Sequence, residues 1–158
     1  MKVTLQNYKR LPGTEGFAAT VSISGTPAFL VRNDGGGKPH AFSPLPKQPR
    51  AHFRASLKRV KDYAQSLPSV EAEDGSSSEM DDQLLISALV EREICARDLR
   101  RKLKISILFT ASDSDDLFAV KAPCTEEVFA KLRDDQKAVE ILNTLPFEAA
   151  LELYLKHG

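Results

Sequence analysis

The residues with the most pointed chemistry stand in a row: Asn33-Asp34-Gly35-Gly36-Gly37-Lys38. A glycine-rich turn at the end of a strand can aim backbone amides at a phosphate, and Lys38 adds positive charge beside it. The spacing matches neither the dinucleotide fingerprint nor the Walker sequence, and proline-rich chain comes next instead of a helix start. A structural hairpin turn is therefore the first reading, and a loop contacting a ligand or partner the second.

The next feature is charge. Lys47, Arg50, Arg54, Lys58, Arg59 and Lys61 are six cations with no acid between them. Arg50, Arg54, Lys58 and Lys61 recur at helical spacing, which reads as a basic ridge opposite the apolar stripe of the same helix. Arg92, Arg97, Arg100, Arg101, Lys102 and Lys104, offset by Glu93 and Asp98, form a second run. Joined, the two would make a patch for phosphates. Glu71, Glu73, Asp74, Glu79, Asp81 and Asp82 lie between them and can neutralise the ridge in cis. The aromatic interleaving of a single-strand binder is missing.

The remaining chemistry-bearing residues read more plainly. Asp113, Asp115 and Asp116 cluster as a cation site would, but without the glycine and distant glutamate of a calcium loop, so a solvated hairpin tip is expected. His40, His52 and His157 share no metal-ligand spacing with one another or with Cys95 and Cys124. No metal or cofactor is expected. Cys95 reads as core filler, and Cys124, just before a predicted helix start, as the thiol better placed for a lowered pKa. Neither has a recognisable base beside it in sequence, and Asp134 and Asp135 read as surface charge at a helix end.

These residues need elements to hold them. Phe17, Ala19, Val21 and Ile23 share one parity and one face of a strand. A tight turn at Gly25-Thr26 then leads into a returning strand from Pro27 to Arg32. Pro44, Pro46 and Pro49 mark an extended connector. Phe53, Leu57, Val60, Ala64 and Leu67 make one face of a helix from Arg50, closed by Pro68. Residues 69–79 read as a mobile acidic loop. A second helix starts near Glu79 to Asp82 and runs to about Lys102, with Leu85, Leu89, Ala96, Leu99 and Leu103 inward. Ile105 to Thr110 and Leu117 to Lys121 form a hairpin about residues 111–116. Thr125 caps a third helix, Ala138 to Leu142 is a short strand, and Pro146 opens a last helix. Parallel pairing of the 117–121 and 138–142 strands would imply a right-handed connection. The expected fold is a single α+β domain over residues 1–158, a mixed but mainly antiparallel sheet with about four helices on one face and a strand-rich part at 1–45.

Composition bounds the function. The 158 residues fit one domain, and 42% hydrophobic with 28% charged content is that of a soluble globular chain. Twenty-two basic residues balance twenty-two acidic ones, so no net field draws the chain to nucleic acid or anionic membrane. Two cysteines make no disulfide framework, no apolar run approaches the roughly 18 residues of a membrane span, and no secretory signal opens the chain. A cytoplasmic protein with reduced thiols is expected.

The stretch from Phe17 to Gly25, together with Asn33-Asp34-Gly35-Gly36-Gly37 further on, resembles the opening of small uncharacterised proteins of bacteria, plasmids and phages. Leu99 to Lys104 leading to Leu108-Phe109, and Ile141-Leu142-Asn143-Thr144-Leu145-Pro146, resemble later landmarks of that group. The resemblance implies an accessory protein linked to mobile elements, and it carries no catalytic residue. The first functional reading is a non-enzymatic binding protein acting through protein contacts, including inhibition of a host defence system, with the basic ridge and glycine loop as contact surfaces. The second is a nucleic-acid binder using Arg50, Arg54, Lys58 and Lys61 beside Arg97, Arg100 and Arg101. The third is a phosphate-handling enzyme using Asn33 to Lys38.

Overall fold

The computed structural model describes residues 1–71 and 75–157. In chain order the strands and helices are β1 Val3–Arg10, β2 Phe17–Ile23, β3 Thr26–Asn33, β4 Ala41–Ser43, α1 Arg50–Gln65, β5 Val70–Glu71, β6 Ser77–Ser78, α2 Asp82–Ile105, β7 Ile107–Ala111, β8 Ser114–Val120, α3 Glu126–Asp135, β9 Ala138–Ile141 and α4 Phe147–His157. A 3-10 turn at Leu142–Thr144 precedes α4. Helices and antiparallel sheets make this an α+β protein. Two compact units divide the chain, Met1–Glu91 and Arg92–Gly158, with the boundary inside α2.

The first unit is built on a four-stranded sheet in the order β1-β2-β3-β4. Ile23 pairs with Thr26, so the turn is Ser24-Gly25, one residue earlier than the sequence suggests. Both turn residues have positive φ, 49° and 85°, the twist that matches right-handed strands. Ala28 is skipped between the Val21–Phe29 and Ser22–Pro27 pairs, and Pro27 sits beside that bulge, where a missing N–H is tolerated. A second bulge between Gln6 and Lys9, with Asn7 at φ 52°, switches the inward parity of β1 from Val3 to Tyr8. Tyr8 is thereby buried and stacks on Phe17 at 5.7 Å. β2 lies inside the sheet and is buried on both faces: Thr20 and Ser22 are covered as well as Phe17, Ala19, Val21 and Ile23.

β4 was hidden in proline-rich sequence. Val31 pairs with Phe42, and Phe29 meets the edges of both Phe42 and Phe53, at 5.6 and 6.0 Å. α1 buries Val60 and Ala64 in the same core, joined by Leu85 and Ile86 of α2. Val60, Leu85 and Ile86 each contribute about 2 kcal/mol of transfer free energy, and the Ala64 methyl less. The acidic 69–79 segment includes a small antiparallel pair, β5 with β6. Its middle, residues 72–74, lies outside the described residues.

The second unit holds the sheet β8-β7-β9. β7 therefore separates the two strands that the sequence allowed as parallel neighbours, and it pairs antiparallel with each. Its side chains alternate between two cores: Leu108 packs with Leu99, Leu142, Leu151 and Tyr154, while Ile107 and Phe109 pack with Phe129, Leu132 and Ile141. Helices thus cover both faces of this sheet, not one, because a strand buried on both sides needs an apolar partner on each. The β7–β8 turn is shorter than expected, since Ala111 pairs with Ser114 and leaves Ser112-Asp113 as its tip. Thr125 caps α3 as the sequence suggests, its hydroxyl accepting from the Val128 N–H at 3.4 Å.

Candidate functional site

β3 delivers Asn33 to the start of the glycine loop, and the Asn33 side chain organises that loop. Its Oδ1 accepts the Gly35 N–H at 2.7 Å, and its Nδ2 donates to the Lys38 carbonyl at 2.6 Å. Gly35, Gly36 and Gly37 all have positive φ, 81°, 65° and 72°, which β-carbon-bearing residues resist. Asp34 is ion-paired with Arg32 at 2.7 Å. This occupies the carboxylate on which an enzyme reading would rely.

The loop leans on the β1–β2 connection. A β-carbon on Gly16 would lie 2.4 Å from the Asn33 carbonyl oxygen, so only glycine admits this approach. An open cleft of about 680 Å³ results, lined by residues 10–15 and 34–36. Arg10, Glu15 and Asp34 are its charged members. The cleft offers a mixed-charge contact surface beside the glycine loop.

His40 lies behind the loop. Asn33 Nδ2 is 3.0 Å from His40 Nδ1, and His40 Nε2 is 2.9 Å from Ser87 Oγ. The His40 backbone N–H donates to Gln83 Oε1 at 2.7 Å, and Gln83 Nε2 donates back to the His40 carbonyl at 3.3 Å. The Phe17 ring packs edge-on at 5.4 Å. Ser–His–Asn is a nucleophile's constellation, yet its polarity here is reversed. The Gly35 N–H and Lys38 carbonyl together fix the Asn33 amide, so Nδ2 must donate to Nδ1. Nε2 then carries the proton and donates to Ser87. An imidazole in that tautomer does not accept the serine proton, and the array acts as a clamp. Burial lowers the His40 pKa below its ordinary value, against the opposing pull of the Gln83 hydrogen bond and the Asp82 charge.

Arg50, Arg54, Lys58 and Lys61 are all exposed on α1. At 100° per residue their centre lies about a quarter-turn from the Phe53, Leu57, Val60 and Ala64 stripe, so the ridge runs along its flank instead of opposite it. Lys58 pairs with Asp62 at 2.6 Å and Lys61 reaches Asp82 at 3.8 Å. Arg50 and Arg54 have no ion-pair partner among the described residues.

The second basic run lies in the other unit, where, among the described residues, all of its cations but the exposed Lys104 are committed. Arg97 pairs with Glu93 at 2.7 Å, and Arg92 with Glu148 and Glu152 at 2.9 and 2.8 Å. The Arg100 guanidinium sits 4.4 Å over the Phe147 ring. Arg101 and Lys102 both pair with Asp98. Lys102 Nζ donates to the Tyr154 hydroxyl at 2.7 Å, which donates to Asp98 Oδ2 at 2.5 Å. The Tyr154 hydrogen bond, then that of Lys102, holds the Asp98 carboxyl down at about 2.

No family model, curated protein or solved structure matches the chain. Its own geometry carries the functional reading.

Asp113 pairs with Lys137 at 3.1 Å, and among the described residues no group of three His, Cys, Asp or Glu is arranged to hold a metal. Likewise, no helix among them is long and apolar enough to cross a membrane. Cys95 is half-buried beside the second-unit core, and Cys124 is exposed. Sequence reasoning weighed the histidines, His40 among them, as metal ligands and as partners of a cysteine nucleophile, and assigned no part to Tyr154 or to the side chain of Asn143. The signal for the His40 clamp was Gln83 and Ser87, four apart on one helix face. Asn143 receives the Leu108 N–H at 2.9 Å and donates to the Ser106 and Leu103 carbonyls at 3.0 and 3.3 Å. Nothing local in Leu142-Asn143-Thr144 announces that role.

Proposed function

We propose that this chain is a non-enzymatic binding protein that acts through protein contacts, using the α1 cation row against an acidic partner surface and the mixed-charge glycine-loop cleft as a second contact. The observation that carries this reading is the contrast between the two basic runs. Five of the six cations of the second run, all but Lys104, are spent on acids and rings of their own unit, whereas Arg50 and Arg54 stand side by side on α1, exposed and uncommitted. A protein partner is favoured over nucleic acid because Met1–Glu91 carries eleven Lys and Arg against ten Asp and Glu, leaving almost no net field. The setting we infer is the cytoplasm of a bacterium, as an accessory protein of the cell or of a mobile element, with inhibition of a host defence system as the role such a contact would serve.

Two measurements on the intact chain test this. Fluorescence anisotropy with short single- and double-stranded DNA and RNA, at about 50 and 200 mM salt, should show no binding at either. Capture from bacterial lysate should retain a partner on wild type and lose it on the folded Arg50→Glu, Arg54→Glu variant. Anisotropy that falls steeply with salt and disappears in that variant would overturn the protein-contact reading in favour of nucleic acid. A partner held equally by the variant would remove α1 from the contact surface.

A further inference from the structure

The glycine loop is held shut from behind by a bond that one proton can reverse. We propose that His40 is a pH-operated latch on the Asn33–Lys38 loop, closed while the imidazole is neutral and released when Nδ1 takes a proton. The Asn33 amide serves three partners at once: Gly35 N–H on Oδ1, and both the Lys38 carbonyl and His40 Nδ1 on Nδ2. Protonation at Nδ1 sets an N–H donor against the Asn33 NH₂ donor at 3.0 Å. The acceptor that Asn33 can offer the imidazolium is Oδ1. Turning the amide to present it strips the Gly35 N–H of its acceptor and the Lys38 carbonyl of its donor. One proton therefore breaks both loop-closing bonds of Asn33. Three consecutive positive-φ glycines let the freed loop move, because they impose little of their own conformation.

The far side of the ring is a fixed hinge. Nε2 stays on Ser87, and the backbone of His40 stays on Gln83 through both of its polar groups. The proton thus acts on the loop and not on α2.

The charged groups around the ring come from three elements. On α2, Asp82 favours the imidazolium, but Lys61 of α1 lies 3.8 Å from that carboxylate and offsets it. On the loop itself Asp34 is occupied by Arg32, and Lys38 contributes its carbonyl to the clamp. β2 presents only the uncharged Phe17 ring. With burial dominating, proton uptake falls below the ordinary imidazole value of 6.5, so the latch is closed at neutral pH and opens on acidification.

The latch deepens the contact reading, since the loop it holds is one of the proposed contact surfaces, and it is tested on the free protein without any partner. Two-dimensional NMR of the ¹⁵N-labelled chain, from pH 7.5 to 4.5, tracks the His40 ring shifts and the exchange protection of the Gly35 amide, normalised for intrinsic exchange. Gly35 protection should fall about tenfold with the same midpoint as the His40 ring. The His40→Gln variant should show no such step. Because that variant risks misfolding, Ser87→Ala is the second: it moves the ring's midpoint, and the Gly35 midpoint must move with it. Gly35 protection that stays flat while His40 titrates, a step retained in His40→Gln, midpoints that diverge in Ser87→Ala, or no His40 titration in this range would each overturn the latch. A latch that fails leaves the partner-capture result standing, and a failed capture leaves the NMR result standing.

Discussion

Replacing Asn143 with alanine is the sharpest test of how the second unit is held together. The side chain accepts from the Leu108 N–H at 2.9 Å and donates to the Ser106 and Leu103 carbonyls at 3.0 and 3.3 Å. Leu108 is 2% exposed, so shortening the half-buried Asn143 leaves its N–H without a protein acceptor and poorly hydrated. The Leu103 carbonyl belongs to the last turn of α2, where carbonyls have no partner within the helix. An orphaned buried N–H costs about 2 kcal/mol and each lost carbonyl bond about 1 kcal/mol, which gives about 3 to 4 kcal/mol in all. With a urea dependence of about 2 kcal/mol/M for a chain of this size, the midpoint should fall by about 1.5 to 2 M by far-UV circular dichroism. Asn143→Asp keeps the acceptor for Leu108 but turns a carboxylate on two carbonyls, and should be destabilised nearly as much. Thr144→Ala, which loses only a bond to the Ile141 carbonyl at 2.8 Å on an exposed residue, should cost about 0.5 to 1 kcal/mol. An Asn143→Ala midpoint within about 0.3 M of wild type would refute the assignment of Asn143 as the tie between α2, β7 and the 3-10 turn.

The same structure sets further outcomes. Gly16→Ala drives a β-carbon into the Asn33 carbonyl and should cost about 3 kcal/mol, whereas Gly36→Ala meets only the cost of positive φ, about 1 kcal/mol; equal urea midpoints would contradict the close approach of the two loops. Asp98, held at about 2 against an ordinary 3.8, contributes stability that is complete above 3.8 and lost as pH falls through about 2. Tyr154→Phe should move that carboxyl's midpoint up toward 3.8 in a ¹³C titration, and an unmoved midpoint would exclude Tyr154 as the chief cause. Brief iodoacetamide treatment read by peptide mass spectrometry should label exposed Cys124 well ahead of half-buried Cys95, and equal rates would show that the second-unit core opens readily.

Much of the framework is legible in the residue order because it is local. The four-three spacing from Phe53 to Ala64, the Thr125 cap with its acids, and the alternation in Phe17 to Ile23 each reflect forces acting within a few residues. The α+β class, the four helices and the strand-rich opening come from those signals. Asn33 and the glycines are legible as a turn for the same reason.

Tertiary structure decided the rest, where partners are far apart in sequence. β4 has three residues set among prolines, and pairing with β3 makes it a strand. β7 became the centre of its sheet because Ile107 and Phe109 need one core while Leu108 needs another. The direction of the Asn33 amide, and with it the tautomer of His40, depends on Gly35, Lys38 and Ser87 meeting at one point. Which cations remain uncommitted is equally a matter of meeting: Arg92 is spent on acids more than fifty positions away, and Arg54 is not. Composition counts charges, but only the folded chain brings each charge to its partner or leaves it for another molecule.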